Sequence, residues 1–154
     1  MQALQQMRRF VQTVLGILFR HPVTGISIIP RLPDGQIVMI QRRDNGLWAL
    51  PGGFVDWGES IPTTVRRELL EETGLELVEI QRLVGVYSSP DRDPRIHSIC
   101  VVVEASVRGT IRPQDTLEVG KVRAFQPDNL PPPPLSHDSE QHLQDYFAGR
   151  TVLD

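Results

Sequence analysis

The stretch from Ser60 to Gly74, SIPTTVRRELLEETG, constrains this chain more than any other part of it. Ser60 is a favourable helix N-cap, Pro62 is tolerated in a first turn, and Gly74 suits the left-handed residue that ends a helix. The segment therefore reads as a helix over about 61–73. At 3.6 residues per turn, Glu68, Glu71 and Glu72 stand at i, i+3 and i+4 and leave the helix within an arc of about 100°. Like charges so placed repel by roughly a few tenths of a kcal/mol per pair, and burial raises that cost sharply. Ile61, Val65 and Leu69 follow one another at i+4 along the flank of the arc, so the acidic row borders the buried face. A carboxylate set without His or Cys suits a hard divalent cation, which takes oxygen ligands, rather than zinc. The alternative is an ordinary solvated helix face, but a helix that only needed solubility would alternate its charges. Arg67, four residues before Glu71, can pair with it. Such a pair is either a surface ion pair of little value or a contact that positions a ligand or base.

Upstream of this helix, Gly52 and Gly53 allow a tight backbone approach to a ligand or ion, although a glycine pair alone is more often a turn. The 154 residues are 40% hydrophobic, enough for one domain with a single core. The net charge of −3 gives no global attraction to nucleic acid or to an acidic membrane surface, so an anionic substrate needs local positive charge or a metal. The single cysteine, Cys100 in SICVVVEA, excludes a disulfide framework and a zinc site by cysteine spacing; a cytoplasmic location is expected. Leu4, Met7, Val11, Leu15 and Leu18 recur at helical spacing, so residues 1–20 read as an amphipathic helix packed on the core or on a second copy in a homodimer. A membrane-surface role is the lesser alternative, and FVQTVLGILF is too short to span a bilayer.

GISIIPRL and QIVMIQRR form an expected hairpin across PDG. LELVEIQRLVGVYS and HSICVVVEASV are two longer strands around the polar loop SPDRDPR, and GKVRAFQ is a last strand. PDNLPPPPL cannot be regular structure, because proline lacks the backbone donor. Ser136 is expected to cap a terminal helix that docks through Leu143, Tyr146 and Phe147. Strands and helices intermix, so the fold class is α/β.

Gly53, five residues, Glu59, seven residues, then REL, one residue, EE, one residue and GL fill every specified position of the pattern G-x5-E-x7-R-E-U-x-E-E-x-G-U. This is the Nudix box, and the chain resembles the Nudix hydrolase family over roughly Pro22 to Pro131. The resemblance implies an α-β-α sandwich around a mixed sheet, here within residues 21–150, and hydrolysis of a nucleoside diphosphate linked to a group X. It implies that Glu68, Glu71 and Glu72, with the Gly52 carbonyl, hold Mg²⁺ or Mn²⁺, and that Glu59 orients the site. Glu71, Glu72, Arg67 and Glu118 become the catalytic set; Glu118 stands before the last strand, with Asp115 as its fallback.

The segment VGVYSSPDRDPRIHS is similar to the loop of ADP-ribose pyrophosphatases, with Pro90 sixteen residues after Gly74. Arg92 and Arg95 then become contacts for phosphate or a terminal ribose, since guanidinium matches phosphate geometry. Their other reading is a turn stitched by surface ion pairs. Tyr87 is a candidate wall of the nucleoside pocket or a core residue, and Trp57 a candidate base-stacking residue in a loop. Ile96 stands where such loops often carry glycine. His97 reads as structural, with phosphate contact the alternative. The expected partner is a small nucleotide, not nucleic acid or membrane. A nucleoside triphosphate pyrophosphohydrolase, acting on oxidised nucleotides among others, is the second reading; a nucleotide-sensing module without turnover is the third.

Overall fold

The structure is a computed structural model that describes residues 2–19, 21–93 and 96–154. Helix α1 (Gln2–Phe19) is followed by strands β1 (Val23–Arg31) and β2 (Ile37–Arg42). These two make the expected antiparallel hairpin, with Arg31 opposite Ile37. Gly35 closes its turn at a φ of 85°, donating its N–H to the Leu32 carbonyl. Short strands β3 (Trp48–Ala49) and β4 (Gly52–Phe54) lead into helix α2 (Ile61–Thr73). Strand β5 (Glu76–Tyr87), a 3₁₀ turn (Pro90–Arg92), β6 (Ser98–Arg108) and β7 (Val119–Phe125) follow, then α3 (Ser139–Phe147) and β8 (Val152–Leu153).

The sheet runs β3-β2-β1-β6-β5-β8, with β4 also paired to β1 and β7 to β2. It is mixed: β1 lies parallel to β6, and β5 antiparallel to it. Successive side chains on a strand point to opposite faces, and the core divides accordingly. Ile28 and Val103 pack with Val65 and Leu69 of α2, whereas their neighbours Ile29 and Val102 pack with Leu143 of α3. One helix therefore covers each face, and the α-β-α sandwich holds.

Helix α2 begins and ends for the reasons its sequence supplies. Ser60 is extended and its side chain accepts from the Thr63 N–H; Gly74, at a φ of 76°, donates its N–H to the Leu70 carbonyl. Other expectations need correction. Asp138, not Ser136, is the residue preceding α3. Ser136 instead accepts from Asn45 Nδ2 at 2.9 Å and donates its N–H to the Trp48 carbonyl at 2.7 Å, tying the proline-rich segment to β3. Leu143 is buried, but Phe147, at the end of α3, is half exposed. In α1 the described stripe of Met7, Phe10, Val11 and Leu15 is exposed and does not pack on the core. Leu4 and Leu18 lie outside the described side chains. Among the described residues no helix is long and apolar enough to cross a membrane.

Val65 and Leu69 have no exposed surface. Burying each contributes about 1.5–3 kcal/mol. Leu69→Ala is expected to cost about 2–5 kcal/mol through the lost transfer energy and the cavity left behind. Urea denaturation of the variant measures this, as a lowered midpoint.

Candidate active site

Strand β4 carries both glycines and lies antiparallel to β1, with Ile26 opposite Gly53 and Ser27 opposite Gly52. This pairing brings its backbone against the acidic face of α2. Gly52 donates its N–H to Glu72 Oε2 at 2.8 Å. A Cβ on Gly52 would stand 2.1 Å from the Ile26 carbonyl oxygen, and one on Gly53 would stand 2.2 Å from Glu68 Oε1. The Gly52 position thus needs no side chain for β4 to lie on β1, and the Gly53 position leaves room for the Glu68 carboxylate of α2. Glu68 and Glu72 are consequently buried, at 8% and 4% exposure.

Arg67 does not serve mainly as a partner of Glu71, which lies at 3.5 Å. Its fork meets Glu59 twice, Nε to Oε1 at 3.0 Å and Nη2 to Oε2 at 2.9 Å. It also donates to Glu68 Oε1 at 2.8 Å and to the Phe54 carbonyl at 3.0 Å. A planar guanidinium gains most from a bidentate carboxylate, which Glu59 in the loop offers and a neighbour on the same helix does not. The Arg67 hydrogen bonds hold the Glu59 carboxyl down at about 2. Burial pushes Glu72 up to about 8, with the nearby charges of Glu68 and Glu118 adding and the Gly52 N–H opposing. Burial likewise raises Glu68, against the pull of Arg67.

Glu118 stands immediately before β7, as expected. Asp115 Oδ1 accepts the N–H groups of Leu117 and Glu118 at 2.9 and 3.2 Å, and Asp115 donates its own N–H to the Glu71 carbonyl at 2.8 Å. The Glu118 loop is thus tied to the last turn of α2. Asp115 shapes that loop while Glu118 faces the carboxylate row.

A cleft of about 1190 Å³ runs from this row to the start of α3. Gly52, Arg67, Glu68, Glu71, Glu72 and Glu118 line one end, and Arg92 lines the other. The remaining expected contacts do not meet there. Tyr87 is a core residue, 3% exposed, whose hydroxyl donates to Asp145 Oδ2 at 2.9 Å. Pro90 starts the 3₁₀ turn but does not itself line the cleft, and Trp57 is fully exposed in its loop without lining it. His97 shares a hydrogen bond with the Ser88 carbonyl at 2.9 Å, a structural role. Arg95 lies outside the described residues. Arg92 donates to Asp138 Oδ2 at 2.6 Å and to Ser98. Its two possible uses therefore coincide: it is ion-paired and it walls the cleft. Arg42 and His142 also line the cleft and carried no motif in the sequence.

Among the described residues no three His, Cys, Asp or Glu side chains converge as a ready-made metal cage. Glu68 is held by Arg67 and Glu72 by the Gly52 N–H. The donor set nevertheless fits an oxygen-preferring divalent cation. Glu68 and Glu72 are buried, and burial resists their ionisation, while Glu59 already takes two of the bonds from Arg67. A divalent ion would supply the positive charge this row lacks.

The sequence model of the NUDIX domain matches residues 21–146, and the chain belongs to the Nudix family. It is a Nudix hydrolase, with similarity to ADP-ribose pyrophosphatases. The ADP-ribose pyrophosphatase of Methanocaldococcus jannaschii is 41% identical over 135 residues, which are 84% of this chain and 76% of that protein. The NAD-capped RNA hydrolase NudC of Pseudomonas aeruginosa is 33% identical over 84% of this chain, which spans only 49% of that relative. A crystal structure of an ADP-ribose pyrophosphatase from Streptococcus suis superposes with a TM-score of 0.70 at 28% identity, covering 87% of this chain and 100% of that one.

Gly52→Ala sets a methyl against fixed backbone and is expected to lower the melting temperature more than Gly53→Ala, which meets the movable end of Glu68. Gly53→Ala is expected to weaken divalent-metal binding instead, as calorimetry would measure. Glu72 ionises near 4.5 unfolded and at about 8 folded. The folded state binds its proton more tightly, so this contribution to stability is present below about pH 4.5 and is lost as pH rises to about 8. Metal-free protein is expected to lose stability over that window relative to Glu72→Gln; parallel melting curves at each pH would contradict it.

Proposed function

We propose that this enzyme hydrolyses the pyrophosphate of ADP-ribose or a closely related nucleoside diphosphate sugar, using Mg²⁺ or Mn²⁺. The 41% identity to an ADP-ribose pyrophosphatase across 84% of the chain carries the substrate reading. The placement of the carboxylate row at one end of a cleft large enough for a dinucleotide-sized ligand supports it. Nudix hydrolases generally need a divalent metal.

In this reading Glu68, Glu71 and Glu72 would hold the metal, with the Gly52 carbonyl as a further oxygen donor. The bound ion supplies charge neutralisation at the pyrophosphate and activation of water. Glu71, Glu72 and Glu118 are the carboxylates within the catalytic end of the cleft, available to accept the proton of the attacking water. Arg67 is a positioning residue: it fixes Glu59 and Glu68 and has its donors committed. Arg92 belongs to the end that receives the rest of the substrate. Water adds at phosphorus, the bridging P–O bond breaks, and ADP-ribose yields AMP and ribose 5-phosphate.

Purified protein with Mg²⁺ is expected to cleave ADP-ribose, followed by release of AMP, and to be silent after chelation. Consumption of nucleoside triphosphates alone would replace this reading with the triphosphate pyrophosphohydrolase. Glu72→Gln is expected to lower kcat by about 10² to 10⁴-fold with the folded state retained by circular dichroism. Turnover at the wild-type rate in that variant would remove Glu72 from the reaction.

A further inference from the structure

Charge is unevenly placed along this chain. The first acidic residue is Asp34: all 19 acidic side chains and 12 of the 16 basic ones lie from there onward. Residues 1–33 hold Arg8, Arg9, Arg20 and Arg31 and no Asp or Glu. The net charge of −3, which by itself argues against an acidic membrane surface, averages over these two unlike parts. Helix α1 lies wholly within the acid-free part.

α1 also carries an apolar face that the fold leaves uncovered. Met7, Phe10, Val11 and Leu15 are 65, 67, 45 and 47% exposed, and none of the described residues of α1 belongs to the packed groups around Ile28 and Ile29. At about 100° per residue, these four side chains occupy an arc of about 140°. Arg8 borders that arc beside Leu15, while Arg9, Gln6, Gln12 and Thr13 lie on the other side of the helix, all exposed. A Cβ on Gly16 would meet nothing within 4 Å. Helices draw most of their stability from burying such a face, so this one calls for a cover.

The two faces of the sheet are already taken by α2 and α3. The α1 of a second copy is a self-complementary apolar partner, but a twofold pairing sets one acid-free cationic helix against another, with no carboxylate on either to offset the arginines. The arc is also wider than the narrow seam that two supercoiled helices share. A bilayer surface containing anionic lipid satisfies both parts of the helix. Acyl chains receive the apolar arc, and the long stem of Arg8 lets its guanidinium reach headgroup phosphates at the border. Exposed charges are screened beyond about 8 Å at physiological salt, so the local charge of α1, not the net charge of the chain, governs the attraction. Among the described residues no helix is long and apolar enough to cross a membrane, so α1 would lie on the surface.

We propose that α1 is a surface anchor that seats its Met7–Leu15 face in the interface of an anionic lipid bilayer and holds the hydrolase domain beside it. Arg8 pairs with headgroup phosphates, and Arg9 adds to the attraction from the polar side. The proposal is independent of which nucleotide the enzyme hydrolyses.

The test floats the full chain with vesicles of phosphatidylcholine alone and of phosphatidylcholine mixed with phosphatidylserine. The chain is expected to float with the anionic vesicles and to bind the neutral ones about tenfold more weakly, with high salt removing the difference. Val11→Asp combined with Leu15→Asp is expected to abolish flotation, and Arg8→Gln combined with Arg9→Gln to weaken it about tenfold on anionic vesicles only. All four residues are exposed, so neither variant is expected to change the melting temperature of the domain. Wild-type chain that stays unbound with anionic vesicles, or binds both kinds equally, would overturn the proposal, as would wild-type flotation of the Val11 and Leu15 variant. Light scattering without lipid supplies the rival outcome: a dimer that this variant splits, in a chain that no vesicle binds, assigns the face to a second copy instead.

Discussion

The approach of α2 to the backbone of β4 is the contact on which the site depends. Gly53 leaves room for it and Gly52 lets β4 lie close on β1; it places Glu72 on the Gly52 N–H and Glu68 against Gly53. The helix that buries Val65 and Leu69 in the core is thereby forced to bury two carboxylates on its other flank. A fold rarely retains such an arrangement without a compensating charge, because each desolvated carboxylate resists ionisation. Here the hydrophobic packing that makes α2 stable also stores an electrostatic demand that a divalent ion would meet.

Arg67 limits that demand without removing it. By taking two bonds to Glu59 it anchors the loop ahead of α2, and by taking Glu68 it orders the row's first carboxylate. Glu118 arrives from the opposite side on a loop that Asp115 holds to the end of α2. The acidic end of the cleft is thus assembled from three separate segments, β4, α2 and the approach to β7, all resting on one sheet. At the other end Arg92 is ion-paired with Asp138, so among the described residues the cleft passes from a row of carboxylates to a matched pair.

The helix of the motif was legible down to its caps, because capping and helical spacing are local properties of residues 60–74. Ile28 and Ile29, sorted to opposite faces, follow from the two-residue alternation of a strand, which is local as well. Strands β3, β4 and β8 were not expected, being two or three residues long and too short to show a period. The Arg67–Glu71 pair was the nearest one along the helix, but Glu59 offered better geometry from the loop. Tyr87 ends a strand in a loop-like sequence, yet Asp145 of α3 claims its hydroxyl.

By itself the sequence determined the acidic helix, its metal-suited chemistry, the family and the succession of strands, since each rests on residue types at short, fixed spacings. Only the tertiary structure decided that Glu68 and Glu72 are buried, that Glu59 rather than Glu71 is the principal partner of Arg67, and that Tyr87 is core. It alone brought His142, sixty-seven residues from the motif's end at Leu75, to the same cleft. The reason is physical: burial, long-range ion pairing and unmet hydrogen bonds are properties of neighbours in space, which residue spacing along a chain does not specify.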